Sequence, residues 1–159
     1  MPAEQTAATK ETYPASGSTA QEENNAMSQR QSGQQAPTIL VVEDSTTQAL
    51  HLRTLLEQQG LDVLWARDGA EGVQLALQNV PDLIVLDIQM PEMNGFEVCQ
   101  RLKESAETAE IPVIMFTRYD DAQSVLSGLE KGAIDYIPKD AFAEAVLLET
   151  LREMGFLRA

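Results

Sequence analysis

Asp87 closes an apolar run, Leu83-Ile84-Val85-Leu86, and Pro91 and Asn94-Gly95 follow within a few residues. Such a run reads as a strand buried on both faces and bounded by a loop. An unpaired carboxylate inside that strand would lose much of its hydration, so Asp87 belongs where the strand leaves the sheet. A carboxylate placed there can attack phosphorus and form an acyl phosphate. Three other strand-like segments end in groups suited to the same chemistry. Glu43-Asp44 follow Thr38–Val42, Thr117 follows Val113–Phe116, and Lys139 follows Ile134–Ile137 by way of Pro138. Three carboxylates brought together repel, and at least one would have a raised pKa without a cation. Mg²⁺ resolves this, since it takes one or two carboxylates and leaves its remaining positions to water and phosphate oxygens. Phosphoryl transfer mostly needs positioning and charge neutralisation. Lys139 supplies a point charge for the phosphoryl oxygens and Thr117 a hydroxyl donor.

The elements that must carry these residues alternate. Ser45 with Gln48 reads as a capping-box start to a helix holding Leu52, Leu55 and Leu56, with Gly60 as its stop. Asp62–Ala66 is a shorter strand, ending in Ala66-Arg67 with no polar group of evident use to the site. Asp68 and Glu71 start a second helix whose apolar face is Val73, Ala76, Leu77 and Val80. After Gly95 a third helix carries Phe96, Cys99 and Leu102, with Cys99 read as a small core residue. Asp120 or Asp121 caps a fourth helix through Val125, Leu126 and Leu129, stopped at Lys131-Gly132. Asp140 starts the last helix, Ala141 to about Met154, with Gly155-Phe156 as a glycine stop and a packing residue. Five strands alternating with five helices imply an α/β fold, a doubly wound parallel sheet with helices on both faces. With the flavodoxin-like strand order 2-1-3-4-5, the first and third strands meet at the switch point, and Glu43, Asp44 and Asp87 share one pocket.

Composition sets the outer bounds. A net charge of −14 opposes binding to nucleic acid and to anionic membranes. The single Cys99 excludes an internal disulfide, and His51 alone cannot build a multi-histidine metal site. No apolar run reaches the roughly 18 residues of a membrane helix, and no signal-peptide pattern opens the chain, so a cytoplasmic location is expected. Residues 1–36 are polar and short of large apolar side chains, which predicts a disordered tail ahead of a folded domain at 37–159. Tyr13 is the tail's single aromatic, and the tail is either without function of its own or a docking segment.

Glu43-Asp44, Asp87 with Met90-Pro91 and Gly95, Thr117, Tyr136 and Lys139 together resemble the receiver domain of bacterial two-component response regulators, over about residues 38–155. The resemblance implies that Asp87 accepts a phosphoryl group from a phosphohistidine of a sensor histidine kinase or phosphotransfer protein. It implies that Glu43, Asp44, Asp87 and the backbone carbonyl of Gln89 hold Mg²⁺. It also implies that Thr117 turns toward the phosphate and Tyr136 follows inward, remodelling the face formed by the fourth helix, fifth strand and fifth helix. Two places depart from the family's pattern. Pro138 precedes Lys139 and Asp140 follows it, where the family usually has proline directly after the lysine. A cis Lys139–Asp140 bond would cost roughly 2.5–4 kcal/mol. Arg118 stands where a small residue usually follows the threonine. It shields the phosphate, binds a partner's anion or points into solvent.

The expected function is a stand-alone, chemotaxis-regulator-like receiver, a signalling module that catalyses only its own phosphoryl transfer and dephosphorylation. No length remains for a DNA-binding or enzymatic output, so its unknown downstream target is expected to be a protein. The apolar turn Ala145-Val146-Leu147-Leu148 is wider than one core-facing stripe requires, which suggests a partner or a homodimer through the last helix. Two alternatives stand beside this reading. One is a phosphorylation-independent scaffold. The other is a Mg²⁺-dependent phosphohydrolase, against which Gln89 weighs, since such enzymes commonly place an acid there.

Overall fold

A computed structural model describes residues 35–118 and 121–157. The predicted tail, with Tyr13, lies outside the described residues apart from its last two positions, as does Asp120. The elements are β1 (Thr38–Val42), α1 (Thr46–Gln58), β2 (Asp62–Ala66), α2 (Gly69–Asn79), β3 (Leu83–Leu86), α3 (Gly95–Glu104), β4 (Val113–Thr117), α4 (Ala122–Glu130), β5 (Asp135–Pro138) and α5 (Ala143–Glu153). The five strands form one parallel sheet in the order β2-β1-β3-β4-β5. β1 pairs with β3 from Ile39–Leu83 to Val42–Leu86, so Glu43 and Asp87 leave the sheet side by side.

Alternate residues of each strand feed two cores. Leu40, Val42, Ile84, Leu86 and Met115 pack with Ala76 of α2 and Val98, Cys99 and Leu102 of α3. Ile39, Val41, Val85 and Ile114 pack with Leu52 and Leu56 of α1 and Leu147 and Leu151 of α5. α1 and α5 therefore cover one face. α2 and α3 cover the other, and α4 joins them there, its Gly128 against Tyr136 and Met115.

Local signals explain most boundaries. Ser45, Asp68, Asn94 and Asp121 cap the first four helices by accepting from the backbone N–H three residues on. Asn94 and Glu97 form a full capping box, which makes Asn94 the start of α3 rather than a loop residue. Gly60 and Gly155 take φ of 86° and 88° at helix ends, the left-handed conformation that favours glycine.

Three expectations are corrected. α5 starts at Ala143, because the Asp140 carboxylate turns back to accept from the Phe142 N–H at 2.8 Å and delays the helix by two residues. β5 runs one residue later than Ile134–Ile137, and Ile134 is exposed. On α2, Leu77 is exposed, and so is Val80, the left-handed residue that ends the helix, since the small residues Gly72 and Ala76 make the close approach to the sheet, Gly72 against Val42. On α4, Leu126 and Leu129 are 60% and 44% exposed, so both leucines of the fourth helix lie largely on the surface. No described peptide bond is cis, Lys139–Asp140 included.

Candidate active site at the carboxyl edge of the sheet

The edge that collects the strand ends brings the predicted residues together. Glu43, Asp44 and Asp87 each offer an oxygen within 4.8 Å of the others. Glu43 and Asp87 are buried and Asp44 is exposed, so the group opens to solvent on one side. Hydrogen bonds fix the two buried members. The Asp87 N–H donates to the Val42 carbonyl at 3.1 Å, which continues the β1–β3 pairing to the base of the site. The Gln89 N–H donates to Asp87 Oδ1 at 3.3 Å, and the Ser45 N–H donates to Glu43 Oε2 at 3.2 Å.

Lys139 closes the group. Its Nζ lies 2.6 Å from Glu43 Oε1, 2.5 Å from Gln48 Oε1 and 3.2 Å from Asp87 Oδ2. Its side chain is 12% exposed, and its ammonium stands 5.7 Å from the centroid of the Phe116 ring. The Lys139 N–H donates to the Thr117 carbonyl at 2.7 Å, so the β4–β5 edge fixes where the side chain begins. Burial and the Asp87 charge push the Glu43 carboxyl above its ordinary value of 4.5, while Lys139 pulls the other way. The set is a carboxylate pocket that one fixed ammonium only partly neutralises. Such a set can hold a metal ion, and its remaining negative charge and hard oxygen donors suit a hard cation.

The loop after β3 needs glycine at one point. A Cβ on Gly95 would lie 2.4 Å from the Asp87 carbonyl oxygen and 2.8 Å from the Ile88 Cα. The Gly95 N–H also donates to the Ile88 carbonyl at 2.9 Å, so the first turn of α3 lies directly beneath the Asp87 backbone.

Thr117 is fully buried at the end of β4, and Tyr136 is half-buried over Gly128, with a Cβ-to-ring approach of 3.1 Å had that glycine been alanine. Arg118, next after Thr117, and Gln89, two residues after Asp87, are exposed. Two further residues belong to the site. The Trp65 indole N–H donates to the Glu43 carbonyl at 2.8 Å, and the Arg67 guanidinium stands 4.9 Å from the Trp65 ring centroid. The end of β2 thus supports the pocket after all. Its signal was a tryptophan at a strand end, a large ring with a polar handle that seeks an acceptor. Gln48 is the other, and its sequence context pointed to helix capping instead.

Residues 39–152 match the family model described as "Response regulator receiver domain". The chain belongs to that family. As a receiver it is a signalling module, and the family implies a cognate histidine kinase. Protein PilH of Pseudomonas aeruginosa is 42% identical over 109 residues, covering 69% of this chain and 90% of PilH. The DNA-binding dual master transcriptional regulator RpaA of Synechocystis is 41% identical, but the receiver matches only 46% of its length. Among solved structures, chemotaxis protein CheY4 of Vibrio cholerae superposes with a TM-score of 0.69 at 28% identity, covering 74% of this chain and 97% of that one. The receiver domain of a histidine kinase from Syntrophus aciditrophicus gives 0.69 at 40% identity, covering 78% and 95%. No helix among the described residues is long and apolar enough to cross a membrane.

Proposed function

We propose that this receiver takes a phosphoryl group onto Asp87 and signals by phosphorylation-dependent protein binding. The observation that carries the reading is the Lys139 ammonium bridging Glu43 and Asp87 beside Asp44. In the transfer, an Asp87 carboxylate oxygen forms the new P–O bond. The P–N bond to the donor's imidazole breaks, and its electron pair leaves with that nitrogen. Glu43, Asp44, Asp87 and the Gln89 carbonyl would hold Mg²⁺, which when bound neutralises charge on the transferring group. Lys139 donates to a phosphoryl oxygen. Thr117 turns toward the phosphate, and Tyr136 follows into the space beside Gly128. The outcome is a remodelled face of α4, β5 and α5, where Leu126, Leu129, Phe142 and Val146 are already exposed. A protein target or a second copy docks there. The exposed Arg118 limits access to Asp87, and Arg118→Ala is expected to speed both phosphorylation and decay.

Incubation with Mg²⁺ and phosphoramidate, followed by intact mass, tests the reading. A gain of one phosphoryl group, absent in Asp87→Asn, is expected. No gain would favour a phosphorylation-independent scaffold, and turnover of unrelated phosphate esters a phosphohydrolase. Ultracentrifugation before and after phosphorylation separates a homodimer from a monomer with a foreign target.

A further inference from the structure

Gln48 has a role in the site that its place in the chain does not suggest. It is the third residue of α1, where a capping-box glutamine would reach back to the N–H of the cap residue, here Ser45. Ser45 does its half, accepting from the Gln48 N–H at 3.3 Å. The reciprocal bond is replaced. Glu43 Oε2 accepts from the Ser45 N–H, which releases the Gln48 side chain to accept from Lys139 Nζ at 2.5 Å.

An ammonium has three hydrogens and no acceptor. Those of Lys139 go to Glu43 at 2.6 Å, Gln48 at 2.5 Å and Asp87 at 3.2 Å. The two short bonds anchor the ammonium to the end of β1 and the first turn of α1, and the long one reaches the nucleophile. The long bond is the one a phosphoryl oxygen on Asp87 can take over without disturbing the anchors. A neutral amide suits this better than a carboxylate, which would add a fourth negative charge where an anionic donor must approach.

We propose that Gln48 is a positioning residue that fixes the Lys139 ammonium so that its third hydrogen is presented to the phosphoryl group arriving at Asp87. The proposal rests on the receiver reading above. The test is a double-mutant cycle of Gln48→Met and Lys139→Ala. Phosphorylation by phosphoramidate at saturating Mg²⁺ is followed by intact mass, with Mg²⁺ affinity measured separately through Trp65 fluorescence. Gln48→Met is expected to slow phosphorylation about tenfold, the scale of one lost hydrogen bond to a charged group. It should leave Mg²⁺ affinity within about twofold, because Gln48 donates nothing to the carboxylate oxygens. In the Lys139→Ala background the same substitution should slow the residual rate no further. Gln48→Ala, which favours the helix, replaces Gln48→Met if that variant unfolds. An unchanged rate in Gln48→Met, or an equal loss with and without Lys139, overturns the role of Gln48 while the receiver reading stands. A wild-type chain that gains no phosphoryl group overturns both.

Discussion

The two sides of the site are built differently. On the β1–α1 side, Glu43 and Gln48 hold the Lys139 ammonium, which reaches across from the end of β5, by bonds of 2.6 and 2.5 Å, and α1 is seated by the buried Ala49, Leu52 and Leu56. On the β4–β5 side, α4 meets the sheet through the buried Gly128 against Tyr136, with Leu126 and Leu129 facing out. Apolar burial stabilises by roughly 25 cal/mol per Å², so a helix that leaves its leucines outside is held by much less. Elements of low local stability are the ones that move in switching. The contrast assigns chemistry to the tightly bonded side and response to the loosely seated one.

Gly95→Ala, beneath the nucleophile where the two sides meet, should have the largest effect. Its Cβ would press on backbone atoms of Asp87 and Ile88 that cannot swing away. Thermal unfolding is expected to report a loss of about 3 kcal/mol, and phosphorylation should fail with it. Lys139→Ala removes the only ammonium in contact with Glu43 and Asp87 among the described residues. Phosphorylation should slow on the order of 100-fold, the usual scale for a lost transition-state donor. Mg²⁺ should bind more tightly, because a competing cation is gone. Weaker Mg²⁺ binding in this variant would mean that Lys139 organises the carboxylates rather than competing for them.

Thr117→Ala probes the passage from one side to the other. A hydrogen bond to a charged group contributes roughly 1.5–3 kcal/mol, whereas inverting a population from 1:99 to 99:1 needs about 5.5 kcal/mol. The variant should therefore still accept phosphate but show a reduced response in α4, seen as smaller changes in hydrogen exchange. An undiminished response would assign the switch to Lys139 and the loop contacts alone.

The smallest effect concerns Glu43. Its folded pKa lies above the unfolded value, so its ionised form costs stability at neutral pH. Metal-free Glu43→Gln should be more stable than the wild type at neutral pH. The gap should close as pH falls through the raised folded pKa toward 4.5. Melting curves of both proteins across that range check the sign.

Much of this was legible in the chain. The β1 and β3 boundaries follow from unbroken apolar runs, and Asp87, Glu43, Thr117 and Lys139 converge because a parallel sheet gathers strand ends. Helix faces were harder. The period of Val125, Leu126 and Leu129 is helical whether or not the sheet lies beneath it, and only the Gly128–Tyr136 approach reveals which side is covered. Gln48 was hidden for a related reason. Its local pattern satisfied capping, and what redirected it was Glu43 capturing the Ser45 N–H, a consequence of the turn's geometry. Trp65 was missed although the strand order places β2 beside β1, because the order does not say that the indole N–H reaches the Glu43 carbonyl.

Peptide-resolved hydrogen exchange, with Mg²⁺ and with or without phosphoramidate, tests the division most directly when wild type and Asp87→Asn are run together. This division predicts that phosphoramidate changes exchange in α4 and β5 and leaves α1 unchanged in the wild type, and that it changes nothing in Asp87→Asn. A change centred on α1, no change anywhere, or the same change in Asp87→Asn would contradict it.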